Sequence, residues 1–213
     1  MSALFFMRFL RRPFQIASLV PSSKALVDRV AGKIDFERAR VIVEYGPGDG
    51  VHSREIARRM RQDCQLLLFE LDAALAYDLE RQFAGDPRVQ VIGQDAARLE
   101  SELRRRGIGE CDVILSGIPF SIMKIESKRA LVQMTYDALA QGGRFIVYQL
   151  TNELRRHATS FGCAESEYFL RNIPPMFITI FEKTQTHTDA PESGLTEAAA
   201  RIGAPPSRLR KRT

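Results

Sequence analysis

The sequence has few cysteines and no long hydrophobic run, and each shortage excludes a kind of protein. Its three cysteines, Cys64, Cys111 and Cys163, are odd in number and widely spaced, so neither a disulfide framework nor a zinc site is indicated. The three histidines lack the spacing of metal ligands, so we expect no bound metal and no histidine base. No apolar run approaches the roughly eighteen residues that cross a bilayer, so no transmembrane helix is predicted.

Acidic residues are absent from the first 27 positions, where the basic residues are Arg8, Arg11, Arg12 and Lys24. The arginines interrupt the apolar stretch and no small-residue cleavage site follows, so the segment lacks the pattern of a secretory signal and we expect a cytoplasmic protein. A second basic cluster lies at 208–212, and the net charge is +5. This charge favours an anionic partner but does not separate nucleic acid from an anionic lipid surface.

The chain alternates short apolar runs with longer helical stretches, which predicts one α/β domain with a mostly parallel sheet. Strands are predicted near 40–45, 65–70, 88–92, 111–116 and 143–149. Helices are predicted at 53–61, 73–83, 96–106 and 121–140, with Gly107 and the pair Gly142-Gly143 as stop signals. After Thr151 we expect a helix and then an antiparallel hairpin formed by 164–171 and 176–183. The predicted organisation is an arm at 1–21, a domain at 22–183 and a mobile tail at 184–213.

The first predicted strand runs directly into a glycine-rich loop and a helix, which is where open α/β folds bind nucleotides. Gly46, Gly48 and Gly50 follow a GxGxG spacing, and they permit a tight turn and close approach of a ligand to the backbone. Val51 fills the sixth position of the dinucleotide fingerprint, which disfavours a nicotinamide cofactor.

Acidic residues follow the first three strands in the order that an adenosyl ligand carrying an amino acid would need. Glu44, two places before the first glycine, can accept hydrogen bonds from an ammonium group. Glu70 ends the second strand and can accept from both ribose hydroxyls, while Asp95 follows the third strand and suits the adenine edge. Their neighbours Tyr45, Leu71 and Ala96 complete the predicted cofactor site.

In these features the chain resembles class I S-adenosylmethionine methyltransferases over about residues 22–183. The resemblance implies S-adenosylmethionine as cofactor and a Rossmann-like sheet of seven strands, with one antiparallel strand and helices on both faces.

The fourth predicted strand ends in the loop Ser116-Gly117-Ile118-Pro119-Phe120, which faces the expected position of the sulfonium methyl group. The loop looks like the four-residue motif by which amino-directed methyltransferases hold a nitrogen nucleophile. Ser116 and the carbonyls of Gly117 and Ile118 could accept amine hydrogens, and Phe120 could contact the developing ammonium through a cation–π interaction. Ser116 also borders the cofactor, and Tyr148, at the end of the fifth strand, is a further candidate.

The amino-terminal segment can form a short basic amphipathic helix. Its apolar and basic positions include Phe5, Phe6, Arg8, Phe9, Arg11 and Arg12. Such a helix can lie on an anionic membrane, and it can equally dock on the domain as an ordinary covering helix.

The strings FLRRPFQIASLVPSS, VEYGPGDG, LSGIPF and RNIPP occur in an order similar to that of bacterial phosphatidylethanolamine N-methyltransferases, which are related to ribosomal RNA adenine dimethylases. The resemblance implies stepwise methylation of phosphatidylethanolamine towards phosphatidylcholine, at an anionic membrane bound through the amino-terminal helix. It also places Ser22 and Ser23 near the site, where they can cap the first helix. Ala17 and Asp49 depart from the family pattern, where glycine and threonine are common, and could signal a shifted substrate range.

Two other interpretations stay open from the sequence. An RNA adenine N6-methyltransferase would use the same charge and amine-type loop on a flipped base. Against it, the chain offers no substantial second domain to grip RNA, and Ser116 stands where those enzymes prefer asparagine, so we expect no stable nucleic-acid partner. A non-catalytic S-adenosylmethionine-binding or lipid-surface protein would require damaged motifs, and none is visible. The sequence does not indicate an oligomeric state.

Overall fold

A computed structural model of the chain describes residues 22–184. The predicted amino-terminal arm, which includes Phe5, Phe6, Arg8, Phe9 and the pair at 11–12, lies outside the described residues, as do residues 185–213 of the predicted carboxyl-terminal tail. Within the described range, no helix is both long and apolar enough to cross a membrane.

A seven-stranded sheet forms the centre of the domain. Its strands are β1 (Val41–Tyr45), β2 (Gln65–Phe69), β3 (Val89–Ile92), β4 (Cys111–Ser116), β5 (Leu139–Gln149), β6 (Cys163–Phe169) and β7 (Met176–Glu182). They are arranged in the order β3-β2-β1-β4-β5-β7-β6. The first five are mutually parallel, and β7 runs antiparallel to both β5 and β6. The predicted Rossmann-like sheet with one antiparallel strand is therefore confirmed.

Helices cover both faces of the sheet. They are α1 (Lys24–Ala31), α2 (Val51–Arg59), α3 (Ala73–Phe83), α4 (Leu99–Arg105) and α5 (Ile125–Ala138). Side chains alternate between the faces along each strand, so Ile42 packs with α1 to α3 while Val43 and Tyr45 join the cluster beneath α4 and α5. Glu44 follows the same alternation and faces α2, which brings it to the helix that begins after the glycine loop.

Ser23 caps α1, as the sequence predicts. Its side-chain oxygen accepts a hydrogen bond from the Leu26 amide, 3.1 Å away, and its hydroxyl donates to the Arg171 carbonyl at 2.8 Å. The Ser23 amide also donates to Asn172 Oδ1, at 2.8 Å. The start of the domain is thereby joined to the turn between β6 and β7.

Several predicted element boundaries are wrong. The helix predicted at 121–140 covers only 125–138, and β5 begins at residue 139 instead of 143. The glycine pair does not precede β5, because the Gly142 amide donates to the Lys183 carbonyl and the Lys183 amide donates to the Gly143 carbonyl. These bonds hold both glycines in the sheet, where Gly142 takes a φ of 75°.

Short 3₁₀ turns replace helix at three places. They are Ala96–Arg98, Phe120–Ile122 and Glu153–Arg156. The first divides the helix predicted at 96–106, and the last takes the place of the helix expected after Thr151. The helix predicted at 53–61 begins two residues earlier, at Val51, because Gly50 turns the chain directly into α2.

Candidate active site

The sheet order reverses between β1 and β4, and the loops after these two strands meet at this crevice. The Gly117 amide donates to the Tyr45 carbonyl at 3.1 Å, and a Cβ on Gly46 would lie 3.2 Å from Ile118 Cγ1. Open α/β sheets bind ligands at such a reversal, outside the carboxyl ends of the strands. The glycine loop at 46–50 and the loop at 116–120, here called the acceptor loop, therefore contact each other.

The glycine loop has the tight turn that its sequence predicts. Gly46, Gly48 and Gly50 all have positive φ, at 63°, 59° and 76°, a conformation that glycine adopts without steric cost. Gly50 is the residue before α2, and a Cβ there would come within 2.7 Å of Leu79 Cδ2. Both its conformation and its packing require glycine.

Glu44 is completely buried next to this loop. One carboxylate oxygen, Oε2, accepts from the Ser53 hydroxyl at 2.6 Å, whereas Oε1 has no hydrogen-bond partner among residues 22–184. Burial raises the pKa of Glu44 to about 7, with smaller contributions from the negative charges of Asp49 and Glu70. A buried carboxylate with a free oxygen fits the ammonium group of S-adenosylmethionine, which would supply both the missing hydrogen bond and a compensating charge.

Glu70 lies at the end of β2, as predicted, and is buried. Its Oε2 accepts from the Gly48 amide at 3.1 Å and its Oε1 accepts from the Asp72 amide at 3.0 Å. The carboxylate thus holds the glycine loop and the start of α3 in place. Each oxygen keeps a second lone pair, so binding of ribose hydroxyls stays a prediction.

The remaining predicted cofactor residues occupy different surroundings. Leu71 follows β2 and is exposed, whereas Ala96 is buried. Asp95 Oδ1 accepts a hydrogen bond from the Ala97 amide at 2.8 Å. Tyr45 turns its side chain to the opposite face of the sheet from Glu44, where its hydroxyl lies 3.2 Å from Thr135 Oγ1. A cofactor contact from Tyr45 would have to involve its backbone.

The acceptor loop is held from inside the protein. Ser116 is completely buried and its Oγ accepts from the Ile118 amide at 3.2 Å. Phe120 is also fully buried, edge-on to Phe145 with ring centroids 6.1 Å apart. The structure places this ring in the core after Pro119, and its contact with a developing ammonium stays a prediction.

Tyr148 lies over the acceptor loop, and its ring also packs against the ring of His52. The two rings are 4.3 Å apart with a tilt of 30°, and His52 Nε2 lies 3.0 Å from Ser22 Oγ. Burial lowers the pKa of His52 to about 3, so the imidazole is neutral at physiological pH. Burial, together with nearby Glu44 and Asp49, raises the pKa of the Tyr148 phenol.

Sequence reasoning missed His52 as part of the site. The spacing of the histidines was considered only for metal ligands or bases, so the contact between His52 and Tyr148 was not predicted. Among residues 22–184 there is no cluster of histidine, cysteine and acidic side chains that could hold a metal ion. The available signal was position, since the first turn after the glycine loop must face the site.

Comparison with known proteins places the chain in a family. Residues 21–147 match the model of the ribosomal RNA adenine dimethylase family. An ornithine lipid N-methyltransferase of Singulisphaera acidiphila is 35% identical over 142 residues, which cover 67% of this chain and 74% of that protein. A ribosomal RNA small subunit methyltransferase of Arabidopsis thaliana is 28% identical over 146 residues, which cover 67% of this chain and 32% of that protein.

Solved structures share the fold at low sequence identity. An rRNA methylase of Streptococcus thermophilus has a TM-score of 0.56 with 16% identity, over 75% of this chain and 94% of that one. The N-methyltransferase NodS of Bradyrhizobium japonicum has a TM-score of 0.57 with 9% identity, over 76% and 94%. The family match covers more than half of the chain, so the chain belongs to the ribosomal RNA adenine dimethylase family and is a class I methyltransferase with S-adenosylmethionine as its cofactor.

Proposed function

We propose that the enzyme methylates the head-group amine of phosphatidylethanolamine, in steps towards phosphatidylcholine, at the surface of an anionic membrane. The observation that carries this proposal is the match to a lipid N-methyltransferase, which extends over three quarters of that relative's length. Phosphatidylethanolamine and an ornithine lipid both present an amine at a membrane surface. The resemblance of the loop at 116–120 to amine-directed loops supports the same kind of acceptor.

The site residues have separate roles in this proposal. Glu44, the glycine loop and Glu70 hold the cofactor, which supplies a methyl group on a positively charged sulfur. Gly117 and Ile118 offer backbone carbonyls to the acceptor amine, and the Tyr148 hydroxyl lies over the same loop. Such a reaction depends mainly on holding the amine lone pair in line with the methyl group.

The described groups around the acceptor loop do not provide a base at neutral pH. His52 has a pKa of about 3 and is too weak a base, and the Tyr148 phenol keeps its proton because its pKa is raised. In this proposal the Glu44 carboxylate binds the ammonium group of the cofactor, so it does not serve as the base. The head-group ammonium therefore loses its proton to water before transfer, and the neutral amine takes the methyl group to give a methylammonium product, which must lose a proton in the same way before the next transfer.

RNA adenine is the second candidate acceptor, because the family model and several relatives carry RNA names. The match to the Arabidopsis RNA enzyme, however, covers less than a third of that protein. A non-catalytic role would require a damaged site, whereas the glycine loop keeps its positive φ values and Glu44 keeps an oxygen free for the cofactor.

Parallel transfer reactions test the proposal. Radiolabelled S-adenosylmethionine is supplied with phosphatidylethanolamine in anionic vesicles, with ornithine lipid in the same vesicles, or with total RNA. We expect label in the organic phase that migrates as methylated phosphatidylethanolamine. Label only in ornithine lipid would show that ornithine lipid, and not phosphatidylethanolamine, is the acceptor. Label only in RNA would establish adenine as the acceptor.

A further inference from the structure

We propose that the carboxyl edge of the sheet carries a membrane-docking surface, here called the apolar rim, which consists of Ile122, Ile125, Leu150, Leu170 and Ile173 together with neighbouring basic residues. The proposed occupant is an anionic lipid bilayer. The role of this surface rests on the proposed lipid acceptor. The surface itself is identified from the exposure of its side chains, the strand topology and the surrounding charge.

The rim side chains are exposed although they are large and aliphatic. Ile173 is 79% exposed, Leu170 68%, Leu150 46%, Ile122 45% and Ile125 40%. Among residues 22–184, eight large apolar side chains are exposed in this way. The five rim residues all follow the carboxyl ends of β4, β5 and β6. Single exposed apolar residues are common, but a cluster rimmed by charge marks an interaction surface.

Strand register brings the rim together. At the end of β5, Gln149 pairs with Phe177, and at the end of β6, Phe169 pairs with Met176. Leu150 and the turn at 170–175 therefore leave the sheet at the same edge, because β7 is the neighbour of both β5 and β6 and adjacent strands lie about 5 Å apart. Ile122 and Ile125 follow β4, the other neighbour of β5. The glycine loop and Tyr148 lie at this same edge, so a surface seated on the rim faces the site.

The turn between β6 and β7 is built to present its apolar residues. Asn172 is almost fully buried, with its Oδ1 accepting from the Ser23 amide and its Nδ2 donating to the Pro174 carbonyl at 2.9 Å. This anchor holds Leu170 and Ile173 outward on either side of it.

Charge around the rim suits an anionic surface. Lys124, Arg155, Arg156 and Arg171 are exposed near it, and none forms an ion pair with another residue of the described range 22–184. Glu126 is exposed in the same region, and Glu153 is paired with Lys128. The exposed acids Asp49, Asp72 and Asp95 follow β1, β2 and β3, in the other half of this edge. Basic side chains beside exposed aliphatic ones are typical of proteins that lie in the membrane interface.

The chemistry of the rim favours lipid over RNA. Proteins that hold unstacked bases use aromatic or arginine planes for stacking. The rim's five apolar members are isoleucine or leucine, whose branched side chains offer no flat face but bury well among acyl chains. The neighbouring arginines and Tyr168, which is exposed on β6, can stack on bases as well, so the preference for lipid rests on these five aliphatic side chains. RNA binding at this surface is accordingly the outcome that the experiment must be able to detect.

The test measures sedimentation of the full chain with phosphatidylglycerol vesicles, which carry negative charge but no acceptor amine. The variant Leu170→Asp/Ile173→Asp is compared with Tyr77→Asp, which changes an exposed apolar residue on the flank helix α3. We expect the rim variant to bind vesicles about tenfold more weakly and Tyr77→Asp to bind within about twofold of the wild type. Retained S-adenosylmethionine binding verifies folding, and Leu170→Ser/Ile173→Ser replaces the aspartate pair if that pair does not fold.

Undiminished vesicle binding by the rim variant would overturn the proposal, as would an equal loss in Tyr77→Asp. A larger loss of RNA binding than of vesicle binding would also overturn it. The proposed lipid acceptor can fail independently of the docking surface. If the wild-type protein sediments with vesicles and the rim variant does not, but no methyl group is transferred to lipid, the lipid acceptor is refuted and the docking surface is supported.

Discussion

Tyr148 lies directly across the backbone of Gly117, such that a Cβ built on Gly117 would come within 2.5 Å of the Tyr148 hydroxyl oxygen and 2.9 Å of its Cζ. The acceptor loop can pass beneath the phenol only because residue 117 has no side chain. Since Tyr148 is itself packed against His52, the acceptor loop, β5 and the start of α2 form one continuous set of contacts. The geometry of the loop is therefore fixed by residues outside it.

Gly117→Ala should displace the loop from the phenol. We expect kcat to fall at least about tenfold, because small misplacements of reacting groups are costly, while the Kd for S-adenosylmethionine changes less than about threefold. Gly109→Ala is the matched control, since a Cβ at Gly109 meets no atom within 4 Å. Steady-state kinetics and calorimetry measure the two effects, and an unchanged kcat in Gly117→Ala would show that the contact has no role in transfer.

His52 should act by positioning Tyr148. In His52→Phe the ring contact survives and only the bond to Ser22 is lost, whereas His52→Ala removes both. We expect kcat to remain within about threefold for the phenylalanine variant and to fall about tenfold or more for alanine. Because the pKa of His52 is about 3, the wild-type kcat profile should show no histidine inflection near neutral pH. Equal losses in both variants, or such an inflection, would contradict a positioning role.

The raised pKa of Glu44 predicts a pH-dependent stability. Its pKa is about 7 in the folded, ligand-free protein against an ordinary value of 4.5, so between these values the folded state holds a proton that the unfolded chain has released. The free energy of unfolding should therefore fall as pH rises through this window, by up to roughly 3 kcal/mol. Urea denaturation of the wild type and Glu44→Gln tests this, and the variant should lack this part of the pH dependence.

The same carboxyl should make cofactor binding release a proton. S-adenosylmethionine needs the ionised form of Glu44, so its affinity should weaken as pH falls below 7 and level off above it. Calorimetry near pH 6 in two buffers of different ionisation enthalpy measures the released proton. Glu44→Gln should bind about ten- to a hundredfold more weakly and release none through this group. A wild-type affinity that is flat between about pH 5.5 and 7.5 would contradict the assignment of Glu44.

Ser23 should stabilise the domain through the α1 cap and the Arg171 carbonyl. Ser23→Ala removes both side-chain bonds and should lower the free energy of unfolding by about 1–2 kcal/mol, whereas Ser23→Thr keeps the hydroxyl and should restore most of it. Urea denaturation compares the three proteins. Equal stability of the alanine variant and the wild type would mean that these bonds contribute nothing.

Much of this arrangement was predictable because it depends on local pattern. The glycine spacing, Glu44 and the alternation of elements identified the fold and the cofactor. The long β5 was missed because pairing of Gly142 and Gly143 with the end of β7 overrides their usual role as breaks. Contacts between distant segments, such as His52 with Tyr148 or Ser23 with Asn172, depend on how the sheet closes and leave no local pattern in the sequence.

The most direct test of the proposed activity is the lipid composition of bacteria that express the chain and that normally contain phosphatidylethanolamine without methylated derivatives. Mass spectrometry of extracted lipids should find head groups heavier by one, two or three methyl groups with the wild type and a much smaller amount of them with Glu44→Gln. Unchanged phosphatidylethanolamine beside newly methylated adenine in ribosomal RNA would contradict a lipid acceptor and identify the enzyme as an RNA methyltransferase.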